Sequence, residues 1–154
     1  MKKILAVVAA LVVIAGVALI FANRKINPDE CRKKIIEEFT PETYPFISEI
    51  SADIQQSNIS FIMIVNDGAS KDEALKTMES AIKKYNEHTK EYKMFTKSSS
   101  DTYYGGFYDD HDMFVSSIEM GQVLNDQYLV QQYIPKGQHI PLSICDTEYA
   151  KNHN

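Results

Sequence analysis

The sequence lacks the short motifs that reveal a chemistry. It has only two cysteines, Cys31 and Cys145, so the CxxC spacing of a redox motif or a zinc knuckle is absent. It also has no GxSxG turn of the serine hydrolases, no glycine-rich phosphate loop, no HExxH pattern and no EF-hand spacing. The four histidines belong to no recognisable catalytic motif. These absences favour a protein that is not an enzyme, and no cofactor is expected.

Basic residues are scarce through most of the chain. Residues 26–154 hold all 21 Asp and Glu but only 12 of the 16 Lys and Arg, so 12 positive and 21 negative charges give a net −9. The other four basic residues flank an apolar segment near the start of the chain: Lys2, Lys3, Arg24 and Lys25. A domain this acidic repels phosphate backbones and anionic membrane surfaces, so a nucleic-acid partner is not expected.

Residues 4–22 contain no charged or hydrogen-bonding side chain. A helix of this length spans roughly 28 Å, close to the hydrocarbon thickness of a bilayer. The pattern predicts that residues 4–22 enter a membrane. It divides the chain into a membrane anchor or signal peptide, residues 1–25, and an extracytoplasmic domain, residues 26–154.

Two versions of the membrane segment stay open. The preferred version is an uncleaved, single-pass signal-anchor, in which Lys2 and Lys3 favour an N terminus inside and the domain in the periplasm or outside the cell. The apolar stretch is also longer than the usual signal peptide core. The alternative is a cleaved signal peptide, cut after Ala18 or Ala22, and a secreted domain.

The cysteine count fits export. Two cysteines in an exported chain predict one disulfide, here between Cys31 and Cys145. Closing so long a loop would stabilise the fold by about 4–5 kcal/mol in the chain-entropy model. Two buried free thiols are the alternative.

The first half of the domain predicts helices around one strand. A capping box, residues 27–30, begins a helix whose apolar stripe is Cys31, Ile35 and Phe39. Residues 45–56 fit a second helix, with a short strand as the alternative, and residues 58–66 predict a buried strand. A second capping box, residues 70–73, begins an amphipathic helix over residues 71–92.

The second half predicts a three-strand meander. Its strands are residues 102–108, with a bulge at Gly105-Gly106, residues 113–123 and residues 127–134, the last two joined by a turn at Asn125-Asp126. The expected fold class is therefore α+β, with helices packed on a mostly antiparallel sheet. This element order is compatible with cystatin-like or NTF2-like cones, which is an analogy of fold and says nothing about function.

Two clusters are candidate sites. Asp109, Asp110, His111 and Asp112 could ligate a divalent cation, although alternation along an extended chain turns at most two of them toward one ligand. A charged turn is the plainer interpretation. A second, aromatic cluster could form an interaction surface for a partner, with core packing as its alternative: Tyr103, Tyr104, Phe107 and Tyr108.

The leading expectation is a membrane-tethered or secreted interaction domain that is not an enzyme and binds another envelope or secreted protein. The alternative is a small exported ligand- or metal-binding protein, or an enzyme, that uses residues 109–112. A third possibility is a structural role in an envelope assembly with the apolar helix itself as the interface.

Overall fold

The computed structural model describes residues 25–93, 96–121 and 127–152. The predicted membrane segment, residues 4–22, and the predicted turn at Asn125-Asp126 lie outside these ranges. Within them, no helix is both long enough and apolar enough to cross a bilayer. The described residues form an α+β fold with a four-stranded mixed sheet and three α-helices, which confirms the predicted fold class at that level.

The strands lie in the sheet in the order in which they occur in the chain. β1 pairs with β2 and β3 pairs with β4 in antiparallel ladders, whereas the central pair, β2 and β3, is parallel. A parallel pair needs a crossover connection, which helix α2 supplies. The elements are α1 Pro28–Glu38, β1 Ile47–Gln55, β2 Asn58–Val65, α2 Lys71–Thr89, a short 3₁₀ helix Gly106–Asp109, β3 Asp112–Glu119, β4 Tyr128–Ile134 and α3 Glu148–Asn152.

Helix α1 begins where the sequence predicts. The Asn27 side chain accepts a hydrogen bond from the Glu30 N–H at 3.4 Å, and Pro28 occupies the first helical position. The Glu30 carboxylate does not return to the cap and instead accepts a bond from the Tyr92 hydroxyl at 3.0 Å. The predicted stripe of Cys31, Ile35 and Phe39 is buried.

Helix α2 is confirmed, but it ends at Thr89, three residues before the predicted end. Its predicted capping box is wrong, because the Ser70 side chain makes no capping hydrogen bond. The apolar stripe is as expected, with Met78, Ile82 and Tyr85 fully buried against the sheet.

The preferred helix over residues 45–56 is wrong, since this segment is strand β1. A bulge between Ile47 and Glu49 explains the helix-like spacing. It brings Ile47 and Ile50, three residues apart, into the core together, and Ala52 follows in ordinary alternation. The strand alternative was the correct one.

The predicted three-strand meander is also wrong. Residues 102–108 form no strand, and the chain passes through a turn into the 3₁₀ helix. Gly105 causes the change: its φ of 122° and ψ of 164° lie in a region that glycine alone adopts readily. Only the β3–β4 hairpin remains at the end of the sheet, and the parallel central pair makes the sheet mixed. The sheet therefore differs from the antiparallel sheet expected for such cones.

The predicted disulfide is not present, since both cysteines are free thiols. Cys31 lies on α1, which packs on β1, whereas the Cys145 N–H donates to the Leu129 carbonyl of β4. β1 and β4 are opposite edges of the sheet, three strand spacings or about 14 Å apart. A disulfide needs Cα atoms within about 7 Å, so the topology separates the pair.

The two faces of the sheet differ in cover. Helices α1 and α2 contact each other and pack on one face, which we call the covered face. Residues of β2 alternate strictly, and its core-facing side chains are Ile59, Phe61, Met63 and Val65. The opposite, open face carries the exposed side chains Ile62, Phe114 and Tyr133.

Candidate functional site: the open face of the sheet

The open face presents apolar side chains to solvent. Ile62, Phe114 and Tyr133 are 43%, 46% and 50% exposed. The register brings them together, because Phe114 is the cross-strand partner of Tyr133 and Ile62 is the partner of Ser116 on the same strand as Phe114. Large apolar side chains that cluster on a surface mark contact sites more often than scattered ones do.

These side chains line a shallow depression of about 570 Å³ that crosses β2, β3 and β4. The rings of Phe114 and Tyr133 lie 4.8 Å apart, centroid to centroid, at 37°. Ser60, Ser116 and Gln131 add polar groups between the apolar ones. The depression is open along its length, whereas small-molecule sites usually enclose most of their ligand. Its shape suits a segment of another macromolecule.

The β4 edge of the sheet is occupied by the chain itself. The Gln132 side chain donates to the Pro141 carbonyl at 3.1 Å and accepts from the Ser143 N–H at 3.1 Å. The Cys145 N–H donates to the Leu129 carbonyl at 2.9 Å. An added strand at β4 would have to displace these bonds, so the face of the sheet, and not this edge, is accessible.

Acidic side chains accompany the apolar ones. The four described strands contain no Lys or Arg, and three of their carboxylates, Glu49, Asp53 and Asp112, lie at outward positions of the register. Asp53 pairs with Arg32 of α1 at 2.9 Å. The pKa of Tyr133 is raised, mainly because the hydroxyl is partly desolvated and secondly because the Asp112 carboxylate is its neighbour.

Asp109 belongs to a compact polar cluster at one end of the sheet. The Tyr103 hydroxyl donates to both carboxylate oxygens at 3.0 and 2.9 Å, Lys97 Nζ lies 3.1 Å away and His139 Nε2 lies 3.2 Å away. Partial burial is the largest single influence and raises the pKa of Asp109, but the bonds from Lys97, Tyr103 and His139 together outweigh it. The net result is a lowered pKa.

The other members of the predicted metal cluster point elsewhere. Asp112 Oδ1 accepts from the Lys136 N–H at 2.9 Å, His111 Nδ1 contacts the Phe107 carbonyl at 2.8 Å, and Asp110 is exposed. Among the described residues, no three His, Cys, Asp or Glu side chains are grouped so that they could hold one metal ion. The geometry therefore adds no support to the metal hypothesis.

His139 is held in place at both ring nitrogens. Its Nδ1 accepts from the Tyr104 N–H at 3.1 Å, so the ring proton lies on Nε2, which faces Asp109. Its ring also packs on Tyr103 with centroids 4.1 Å apart. A general base needs a free nitrogen, which this histidine lacks. Through these bonds the cluster connects loop 97–111 to the segment that follows β4.

Most of the predicted aromatic interaction surface is core. Tyr104, Phe107 and Tyr108 are 4%, 4% and 1% exposed, and the Tyr108 hydroxyl donates to the Ile82 carbonyl of α2 at 2.7 Å. Tyr103 is partly exposed and bonds to Asp109. These side chains stabilise the domain from within, and the surface aromatics are instead Phe114 and Tyr133.

No pattern in the sequence singles out the open face. Residues 58–66 are almost all apolar, which predicts burial on both sides of the strand, and only cover by the helices decides which side is buried. The alternation of Phe114, Ser116 and Ile118 was visible, but it did not show which alternate face would meet solvent.

Family models, curated proteins and solved structures give no match to this chain.

Proposed function

We propose that this protein is a membrane-tethered interaction domain, without enzymatic activity, that binds another envelope or secreted protein through the open face of its sheet. The observation that carries the proposal is the cluster of Ile62, Phe114 and Tyr133, which are exposed on the face opposite helices α1 and α2. A hydrophobic centre with a polar rim, and aromatic residues in particular, is characteristic of protein–protein contacts.

The tether would be the apolar segment, residues 4–22. Only residues 23–27 separate it from α1, a distance of at most about 17 Å in fully extended chain. The domain would therefore stay close to the bilayer, and its partner would be a membrane protein or a protein that reaches the membrane surface. A net charge of −9 keeps the domain itself from spreading on anionic lipid.

Site-specific photocrosslinking tests the proposal. The full-length chain is produced in its native cells with benzoylphenylalanine in place of Tyr133, and crosslinked products are identified by mass spectrometry. The control carries the same photoreactive residue in place of Ile36 of α1, which is 45% exposed and lies in the helix layer. We expect one defined protein partner from position 133 and none from position 36.

Other outcomes would count against the proposal. Products that contain only lipid would indicate a surface that lies on the membrane. A second outcome is that the chain with benzoylphenylalanine at position 133 is folded and in the membrane and still yields only uncrosslinked monomer. That result would mean that this face has no protein partner.

A further inference from the structure

The charge of the open face specifies the chemistry of its partner. We infer that the face binds a segment that combines apolar side chains with Lys or Arg, an inference that rests on the proposed function. The four strands present Glu49, Asp53 and Asp112 outward around the apolar centre and contribute no basic side chain. Complementary charge at an interface accelerates association and selects among partners.

Two of these carboxylates are available to a partner. Arg32 already neutralises Asp53, but within the described part of the chain neither Glu49 nor Asp112 has a basic side chain within ion-pair distance. Asp112 accepts bonds from two neutral donors, the backbone N–H of Lys136 at Oδ1 and the Tyr133 hydroxyl. Neither donor compensates its charge, and a carboxylate can accept a further bond from a cationic side chain.

The aromatic pair next to Asp112 favours arginine in particular. Tyr133 is half exposed and packs on Phe114, so one aromatic surface is presented to solvent close to a carboxylate. A guanidinium can stack on an aromatic ring and donate to a carboxylate at the same time, a combination that an ammonium satisfies less well. The apolar residues of the partner would lie over Ile62 and between the two rings.

The same charges argue against two other occupants. A second copy of this chain, packed face to face about a two-fold axis, would bring Glu49 and Asp112 toward like charges with no basic side chain from the strands to compensate. An anionic lipid surface would be repelled for the same reason. A basic, apolar protein segment is the occupant that the face fits.

The crosslinking of position 133 also tests this inference, through the sequence of the captured segment. We expect a segment with Lys or Arg next to apolar residues and a positive net charge. A captured segment of another protein that is neutral or acidic would overturn the inference and leave the proposed function standing. A crosslinked homodimer would overturn both, and so would the absence of any protein product.

Charge variants of the same full-length photoreactive chain supply a second readout. Glu49→Lys with Asp112→Asn changes the open face by three charges, and the asparagine keeps an acceptor for the Lys136 N–H. The matched control, Glu37→Lys with Glu42→Gln, makes the same change on and next to α1. We expect the crosslink yield to fall about fivefold in the first variant and to be unchanged in the second. Equal yields in both variants would overturn the inference.

Discussion

Phe61 and Phe114 lie on neighbouring strands of one sheet and meet opposite environments. Phe61 faces the helices, is fully buried and packs edge-on against Tyr85 with centroids 5.6 Å apart. Phe114 faces away from them, is 46% exposed and has Tyr133 as its ring neighbour. The apolar residues of these strands stabilise the fold on the covered face, and on the open face they form the surface that we propose as the contact site.

The largest expected effect tests this division directly. Phe61→Ala should lower the free energy of unfolding by about 3–5 kcal/mol, because it removes buried surface and leaves a cavity. Phe114→Ala should lower it by about 1 kcal/mol or less, since nearly half of the ring is already in water. Urea denaturation of the full-length chain in mild detergent, followed by circular dichroism, measures both. Equal losses would mean that the two faces are equally covered.

A second comparison tests how tightly the loop behind the covered face is packed. A Cβ on Gly105 would lie 2.0 Å from the Asn86 side chain, which holds the Phe107 N–H at 3.0 Å. Gly105→Ala should therefore cost at least about 3 kcal/mol, from backbone strain and steric overlap together. Gly68 also has a positive φ but open space around it, so Gly68→Ala should cost only about 1–2 kcal/mol. The same denaturation experiment decides, and a smaller loss at Gly105 would contradict this packing.

Two buried tyrosines differ in whether their hydroxyl groups have a hydrogen-bond partner among the described residues. Tyr108→Phe should cost about 1–1.5 kcal/mol, because it removes the hydrogen bond to the Ile82 carbonyl. The Tyr85 hydroxyl is buried and has no hydrogen-bond partner among the described residues, so Tyr85→Phe should be neutral or stabilise by up to about 1 kcal/mol. Thermal unfolding monitored by circular dichroism gives the order of the two variants. A larger loss for Tyr85→Phe would show that its hydroxyl does have a partner.

The smallest effect concerns the Asp109 cluster at the end of the sheet. Its folded pKa is lowered, so the carboxylate contributes stability above the unfolded value, about 3.9, and loses it as the pH falls through the folded pKa. Asp109→Asn should cost about 1 kcal/mol at pH 7, since partial exposure screens the ion pairs, and nothing near pH 2.

Unfolding free energies of wild type and Asp109→Asn, measured from pH 2 to pH 7, test this. The exposed neighbour supplies the control, as Asp110→Asn should change stability by less than about 0.5 kcal/mol. A cost that persists at pH 2 would show that the loss comes from packing and not from ionisation.

The sequence predicted the elements whose signals are local. The Asn27 cap of α1, the apolar stripes of α1 and α2 and the run of apolar residues in β2 were sufficient to place those elements. It failed where one residue changes the geometry. The bulge after Ile47 gives the core residues of β1 a spacing that is also typical of a helix. The backbone conformation of Gly105 interrupts an aromatic segment whose composition is typical of a strand.

The candidate site was harder still to predict. Whether Ile62 or Phe61 meets solvent depends on which face the helices cover, and no local pattern encodes that choice. The same holds for the cysteines, whose even count suggests a bridge, whereas the fold places Cys31 on the helix that packs on β1 and Cys145 beside β4, the opposite edge strand. Which face is covered and whether the two cysteines meet both depend on contacts between residues that are distant in the sequence.

If the open face binds a protein partner, a change on that face and a matched change on the helix layer should have different effects, and Phe114 and Ile36 are equally exposed apolar residues for this test. Phe114→Thr removes a ring from the open face and keeps strand propensity, while Ile36→Ala shortens a side chain of the helix layer and keeps helix propensity. The measurement is the amount of partner that co-purifies with each full-length variant from native membranes. We expect the Phe114→Thr variant to lose at least four-fifths of the co-purified partner and the Ile36→Ala variant to retain it. Full retention of the partner by Phe114→Thr, or an equal loss from Ile36→Ala, would show that the open face is not the binding surface.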